Sequence, residues 1–175
     1  MGFIVKTAST DDEFEQLYAM NYQTFVEEIP QHQHNDSKKL IDKFDRLNTY
    51  FIVKKENEVV GMMAINTTRP FSLEYKLNNL EQYLPPQHKL AEVRLLSVKP
   101  SQRNGKIFLL LLQAIREYGN TNHIDLAVIS GTILQLSLYH RIGFVDFANP
   151  VGTELAKYQP MYISMAQLEK YLSNI

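Results

Sequence analysis

Residues 90 to 130 leave the chain the fewest choices. "LAEVRLLSV" is an apolar run of strand length whose charged members are Glu92 and Arg94, and it reads as a largely buried strand. "RNGKIFLLLLQAIREYG" follows, apolar around most of its circumference, and predicts a core helix stopped at Gly119. "IDLAVIS" then predicts a second buried strand. A strand, a helix and a strand joined this closely specify a βαβ crossover with parallel strands. A chain built around such a unit is α/β.

The flanking segments add antiparallel structure. "FIVKT" at residues 3 to 7 predicts a first strand, and residues 9 to 28 predict a helix. Thr10 with Glu13 fits a capping box, acidic residues load the first turn, and Phe14, Leu17, Tyr18, Tyr22 and Phe25 recur near helical spacing. "IPQHQHNDSKK" is polar and proline-marked and predicts a ligand-facing loop before a short helical segment at "LIDKFD". In "TYFIVKKENEVVGMMAIN" two β-rich runs flank a polar turn, which predicts an antiparallel hairpin. A short helix is expected over Leu77 to Leu84, ended by the proline pair. Beyond the crossover, "TILQLSLYHRI" predicts a helix closed by Gly143, "FVDF" a strand, and "QPMYISMAQLEKYLSNI" a final strand and helix. At 175 residues, with no repeat and no shift in composition, a single domain over 1–175 is expected.

Composition narrows the partners. The formal net charge is -1 and the basic residues form no long run, which argues against nucleic acid. There are no cysteines, so disulfides, thiolate metal sites and cysteine nucleophiles are excluded together. The longest apolar run, "IFLLLL", is far too short to span a bilayer. A soluble, cytoplasmic protein with no membrane span is the expectation, and the terminal strand is compatible with a homodimer.

The corner that opens the crossover helix has chemistry to offer. Backbone N–H groups at a helix start are unpaired and partly positive, so a glycine-bearing turn there can hold phosphate oxygens. Gln102, Arg103, Asn104, Gly105 and Lys106 form such a turn, with charge from Arg103 and Lys106 and close backbone approach at Gly105. Many strand-to-helix corners carry glycine and polar residues without binding anything. The residues by themselves leave both readings open.

Two motifs carry a resemblance. Val98-Lys99-Pro100 is followed by Gln102-Arg103-Asn104-Gly105-Lys106-Ile107, and later by Leu138-Tyr139-His140-Arg141-Ile142-Gly143-Phe144. Together they resemble the GCN5-related N-acetyltransferase superfamily, whose turn is Gln/Arg-x-x-Gly-x-Gly/Ala after Val-x-Pro and whose later helix carries Leu-Tyr-x-x-x-Gly-Phe. The second motif matches throughout; the first departs at Ile107, where the family prefers a small residue, and its turn is one residue shorter. The first half is similar to the branch of acyl-homoserine lactone synthases and N-acyl amino acid synthases, through "NYQTFVEE", Asp42 with Asp45, Gly61, and Glu92 with Arg94. Tyr22 stands where that branch has an arginine, and its second arginine and its tryptophan have no counterpart.

The resemblance implies a mixed, mainly antiparallel twisted sheet of the acyl-CoA N-acyltransferase fold. It implies an enzyme in which an amine attacks an acyl thioester directly, with acetyl-CoA or another acyl-CoA as donor and a small-molecule amine as acceptor. Glu92 would take the amine's proton, through water, and Tyr139 would protonate the leaving thiolate. The backbone of Leu96, Ser97 and Val98 would bind the pantetheine arm, and Gln102 to Ile107 its phosphates. Two rivals stand beside this reading: a long-chain N-acyl amino acid synthase fed by acyl carrier protein, and a non-catalytic acyl-CoA-binding module.

Each residue also has a plainer account. Glu92 paired with Arg94 is a common strand ion pair, and Tyr139 suits an amphipathic core position. His32, His34 and Asp36 lack a third ligand at metal spacing, so no metal is expected. Asp42 and Asp45, three apart, share one face of a helical turn; an amine site and surface carboxylates explain them equally well. The loop at residues 28 to 40 and the segment 66 to 89 are expected to shape the acceptor pocket.

Overall fold

A computed structural model describes residues 2–86 and 88–175, and its contacts group into two compact units. One comprises residues 1–65 and 95–115, the other 66–94 and 116–175, so each is assembled from two chain segments. Among the described residues the architecture is mixed α/β, with a mostly antiparallel set of eight strands and four α-helices.

In the first unit β1 (Phe3–Thr7) pairs antiparallel with β2 (Thr49–Lys55), which pairs antiparallel with β3 (Glu58–Asn66). The predicted hairpin turns at Glu56, whose positive φ of 57° suits a tight reversal, and the register shifts by a bulge between Val53 and Lys54. Next to β3 lies the end of β4 (Leu90–Val98), where the Lys99 amide donates to the Val60 carbonyl at 3.0 Å. α1 (Asp11–Tyr22) packs Leu17 and Met20 against Tyr50, Ile52, Val59 and Met62. It then widens into a π-helix, Gln23–Glu28, with an Ile29 amide to Thr24 carbonyl bond. The expected helix at "LIDKFD" is only a 3₁₀ turn, Asp45–Leu47.

The capping box at Thr10 and Glu13 is present in both directions, and Glu13 does more than cap. Its carboxylate is 2 % exposed, lies 2.8 Å from Lys6 Nζ and 3.0 Å from Lys54 Nζ, and accepts from the Ser9 amide. Those partners hold its pKa down at about 2, with the Lys6 hydrogen bond the largest cause. A carboxyl with a depressed folded-state pKa stabilises fully above its ordinary value near 4.5 and loses that contribution as pH falls toward 2. Glu13→Gln is therefore expected to cost about 2 kcal/mol at pH 7 and almost nothing at pH 2, measured by urea unfolding at both pH values.

In the second unit the start of β4 pairs parallel with β5 (Leu126–Thr132) over Leu90–Glu92. β5 pairs antiparallel with β8 (Lys157–Ser164), and β6 (Val145–Asp146) and β7 (Val151–Gly152) pair with the other side of β8. The crossover helix α2 is Lys106–Thr121. It passes through Gly119 instead of stopping there, because the role of that glycine is close packing: a Cβ would fall 2.5 Å from Met165 Sδ. α3 (Leu136–Ile142) does end at its predicted glycine, Gly143 at φ +111°. α4 (Met165–Leu172) closes the chain. A core of Phe71, Leu73, Leu80, Leu84 and Val128 is completed by Leu90, Phe147 and Tyr162. In segment 66 to 89 the helical turns are 3₁₀, Ser72–Tyr75 and Leu80–Tyr83, the second where a helix was expected. Among the described residues no helix is long and apolar enough to cross a membrane.

Candidate active site

Glu92 lies on β4 and is fully buried. Its Oε2 accepts from the Ser72 amide at 2.8 Å, and its Oε1 from the Ser72 hydroxyl at 2.6 Å and the Leu73 amide at 3.0 Å. Arg94 Nε stands 3.6 Å from Oε2 and supplies the balancing charge. The carboxylate thus receives the free amides at the start of the 3₁₀ turn Ser72–Tyr75, so one strand residue orders a segment twenty positions earlier. The ladder to β5 ends at Glu92 opposite Val128, and at Leu95 the chain enters the left-handed region at φ +56°. For a leucine that conformation costs roughly 1–2 kcal/mol, which marks β4 as deliberately irregular just past Glu92.

The residues given a role at the donor turn lie in the first unit. Ser97 turns inward, 2.5 Å from Thr24 Oγ1 across a hydroxyl pair, while Leu96 and Val98 are half-buried. Pro100–Gln102 is a 3₁₀ turn, and Gly105 follows at φ +88° with open space where a Cβ would stand; the backbone angle is what calls for glycine there. Asn104 Oδ1 accepts from the Lys106 amide at 3.2 Å and caps α2. Arg103 is engaged twice, its Nε donating to the Val98 carbonyl at 2.8 Å and its Nη2 to both oxygens of Glu28 at 2.8 and 2.7 Å. Lys106 Nζ sits 5.2 Å from the centroid of the Phe3 ring.

Ile107, large where a small residue was the family preference, faces the core at 1 % exposure. Its Cγ2 lies 2.2 Å from where a Cβ on Gly61 would be. The bulk added on α2 is matched by bulk removed from β3, so the volume is conserved without entering the turn.

Tyr139 and Glu92 belong to the second unit. The Tyr139 ring meets Phe144 edge-on at 5.8 Å and 73°, and its Cδ2 and Cε2 each lie 2.9 Å from the position of a Cβ on Gly131. No described residue hydrogen-bonds its hydroxyl. Burial pushes its pKa up to about 12, so the phenol keeps its proton at neutral pH. Tyr158, buried on β8, is pushed up to about 12 chiefly by burial and further by Tyr139. The neighbouring His140 points away, its Nε2 2.8 Å from Asp146 Oδ1.

Asp42 and Asp45 do not stand free. Asp45 accepts from Tyr18 at 3.0 Å and Tyr50 at 2.7 Å; Asp42 accepts from the Phe44 amide at 3.1 Å and Asn48 at 2.9 Å. Burial and these acids raise the pKa of both tyrosines, that of Tyr18 to about 12. In the loop before them, His34 Nδ1 lies 3.1 Å from the Tyr22 hydroxyl. Sequence reasoning passed over Ser72, Glu28 and Gly131, and it took Gly61 as a motif residue without its packing against Ile107. Gly131 and Gly61 shared one local signal, a glycine inside a strand pattern, in "LAVISGT" and "EVVGMMAIN".

The family described as acetyltransferase (GNAT) domain matches residues 20–113. Among solved structures the chain is similar to BjaI, a CoA-dependent acyl-homoserine lactone synthase with SAM and isopentyl-CoA, at 20 % identity over 99 % of this chain and 89 % of that one, with a TM-score of 0.82. It is similar to the AHL synthase LasI at 19 % identity, covering 99 % and 95 %, with a TM-score of 0.79. FeeM, an N-acyl amino acid synthase from uncultured soil microbes, gives 13 % identity, 97 % and 94 % coverage, and 0.77. No curated protein matches the sequence.

Proposed function

Because the chain belongs to the GNAT acetyltransferase family, we propose that it is an N-acyltransferase, one domain over residues 1–175, moving an acyl group from an acyl thioester to an amine. The amine nitrogen attacks the thioester carbon, the C–N bond forms, the C–S bond breaks, and the thiolate leaves as a thiol once protonated. Tyr139 is the proton donor. The observation that carries the reading is its hydroxyl: unpartnered among the described residues, and placed by a Leu-Tyr-x-x-x-Gly-Phe helix.

Two roles compete for Glu92 in this proposal. The resemblance assigns it the amine's proton, taken through a water. Its hydrogen bonds to Ser72 and Leu73 favour a second role, holding the 3₁₀ turn in place.

Acyl-CoA is the proposed donor, with its phosphates on the turn Gln102 to Ile107 and its pantetheine arm on the backbone of Leu96 to Val98. The likeness to FeeM supports acyl carrier protein and an amino acid acceptor as the second reading. A cysteine-free chain suits the reducing cytoplasm, where this reaction is placed.

The test is thiol release from acyl-CoA and acyl carrier protein donors of two to sixteen carbons, each against a panel of amines. Turnover with any pair supports the reading. Donor binding with no thiol release from any pair leaves only a binding module and sinks it. Donor affinity offers a separate check. Lys106→Ala is expected to weaken CoA binding about fivefold, the loss shrinking at high salt, whereas Glu28→Gln strengthens it by a similar factor by freeing Arg103. Calorimetric titration of CoA measures both.

A further inference from the structure

We propose that Gly131 is a positioning residue for Tyr139, setting the depth at which the phenol sits; the inference rests on Tyr139 acting as the proton donor. Gly131 lies inside β5, opposite Gln159 on β8, and glycine weakens a strand interior, so its presence needs a cause. Backbone conformation is not that cause, because the glycines at positive φ are Gly105, Gly143 and Gly152.

The cause is contact. A Cβ at residue 131 would lie 2.9 Å from both Cδ2 and Cε2 of Tyr139 and 3.3 Å from Met161 Sδ. The near edge of the ring therefore rests on the Gly131 backbone itself. Phe144 meets the same ring edge-on at 5.8 Å, and Met161 is fully buried. A methyl group at residue 131 must push the ring outward by about 0.5 Å to reach ordinary van der Waals separation. The hydroxyl, carried on the carbon next to Cε2, moves with it. Proton transfer is sensitive to displacements of this size, and the effect on kcat is on the order of tenfold.

A double-mutant cycle tests this on the full chain, with Gly131→Ala and Tyr139→Phe made singly and together. The expected result is that Gly131→Ala lowers kcat about tenfold with donor Kd unchanged, and that adding it to Tyr139→Phe slows the enzyme no further. Multiplying effects in the double variant overturn the inference, as does a wild-type rate in Gly131→Ala. A wild-type rate in Tyr139→Phe is a different failure, since it removes the proton donor itself and the inference with it. If Gly131→Ala does not fold, Phe144→Leu removes the edge-on contact that also seats this ring. It must slow turnover when Tyr139 is present and be silent beside Tyr139→Phe; any other pattern overturns the proposal.

Discussion

Replacing Tyr139 by phenylalanine is expected to lower kcat about a hundredfold while donor affinity stays within about twofold, the signature of a group acting only in the transition state. The ring contacts survive, because Phe keeps the edge on Phe144 and the seat on Gly131. What the variant loses is the one proton that the proposal assigns to the leaving thiolate. With the Tyr139 pKa at about 12, its acid form is complete at neutral and mildly alkaline pH, so the wild-type rate should show no alkaline fall from this group below about pH 10. The folded-state pKa is raised above 10.0, so any stability tied to this proton is present below pH 10 and lost as pH rises toward 12. A steady-state pH profile of both proteins checks the rate, and a calorimetric titration of CoA checks the affinity. An unchanged kcat in Tyr139→Phe removes the phenol from the chemistry.

The parts of this molecule that were legible in its sequence are those whose physics is local. A capping box, a hairpin turn and the αL glycine that ends α3 each depend on residues within a few positions, and each forms where expected. Gly119 was misread for the converse reason. A glycine near a helix end looks like a stop, and only the distant Met165 shows that it admits a neighbouring helix. Ile107 is the same lesson at the donor turn: it departs from its motif until Gly61, forty-six residues earlier, is seen to give up the matching volume. Asp42 and Asp45 were correctly seen as neighbours, yet nothing adjacent in sequence announced that Tyr18, Asn48 and Tyr50 would occupy them. Residue type and spacing identify which groups can act; which lone pairs are already taken is settled by contacts across the fold.

Glu92 is where that difference matters most. Glu92→Gln is expected to destabilise the protein by roughly 3–5 kcal/mol, a fall in Tm on the order of 10 °C. Both carboxylate oxygens face donors, the Ser72 amide on one and the Ser72 hydroxyl and Leu73 amide on the other. A glutamine has one acceptor oxygen, so whichever way its amide turns, an N–H points at a backbone N–H in a site without water-scale exposure. Arg94, 14 % exposed, at the same time loses its ion pair with residue 92. Ser72→Ala removes one of the same bonds and should cost about 1 kcal/mol in the same direction. Thermal melts of the two variants beside the wild type decide the matter together with their rates. Falls in Tm that accompany the falls in activity assign Glu92 to holding residues 72 to 75. A Glu92→Gln protein that melts with the wild type yet turns over a hundredfold more slowly would instead make Glu92 the base. In that case a water must reach a carboxylate whose oxygens are otherwise filled, and Ser72, which holds both of them, is the residue that would have to release one.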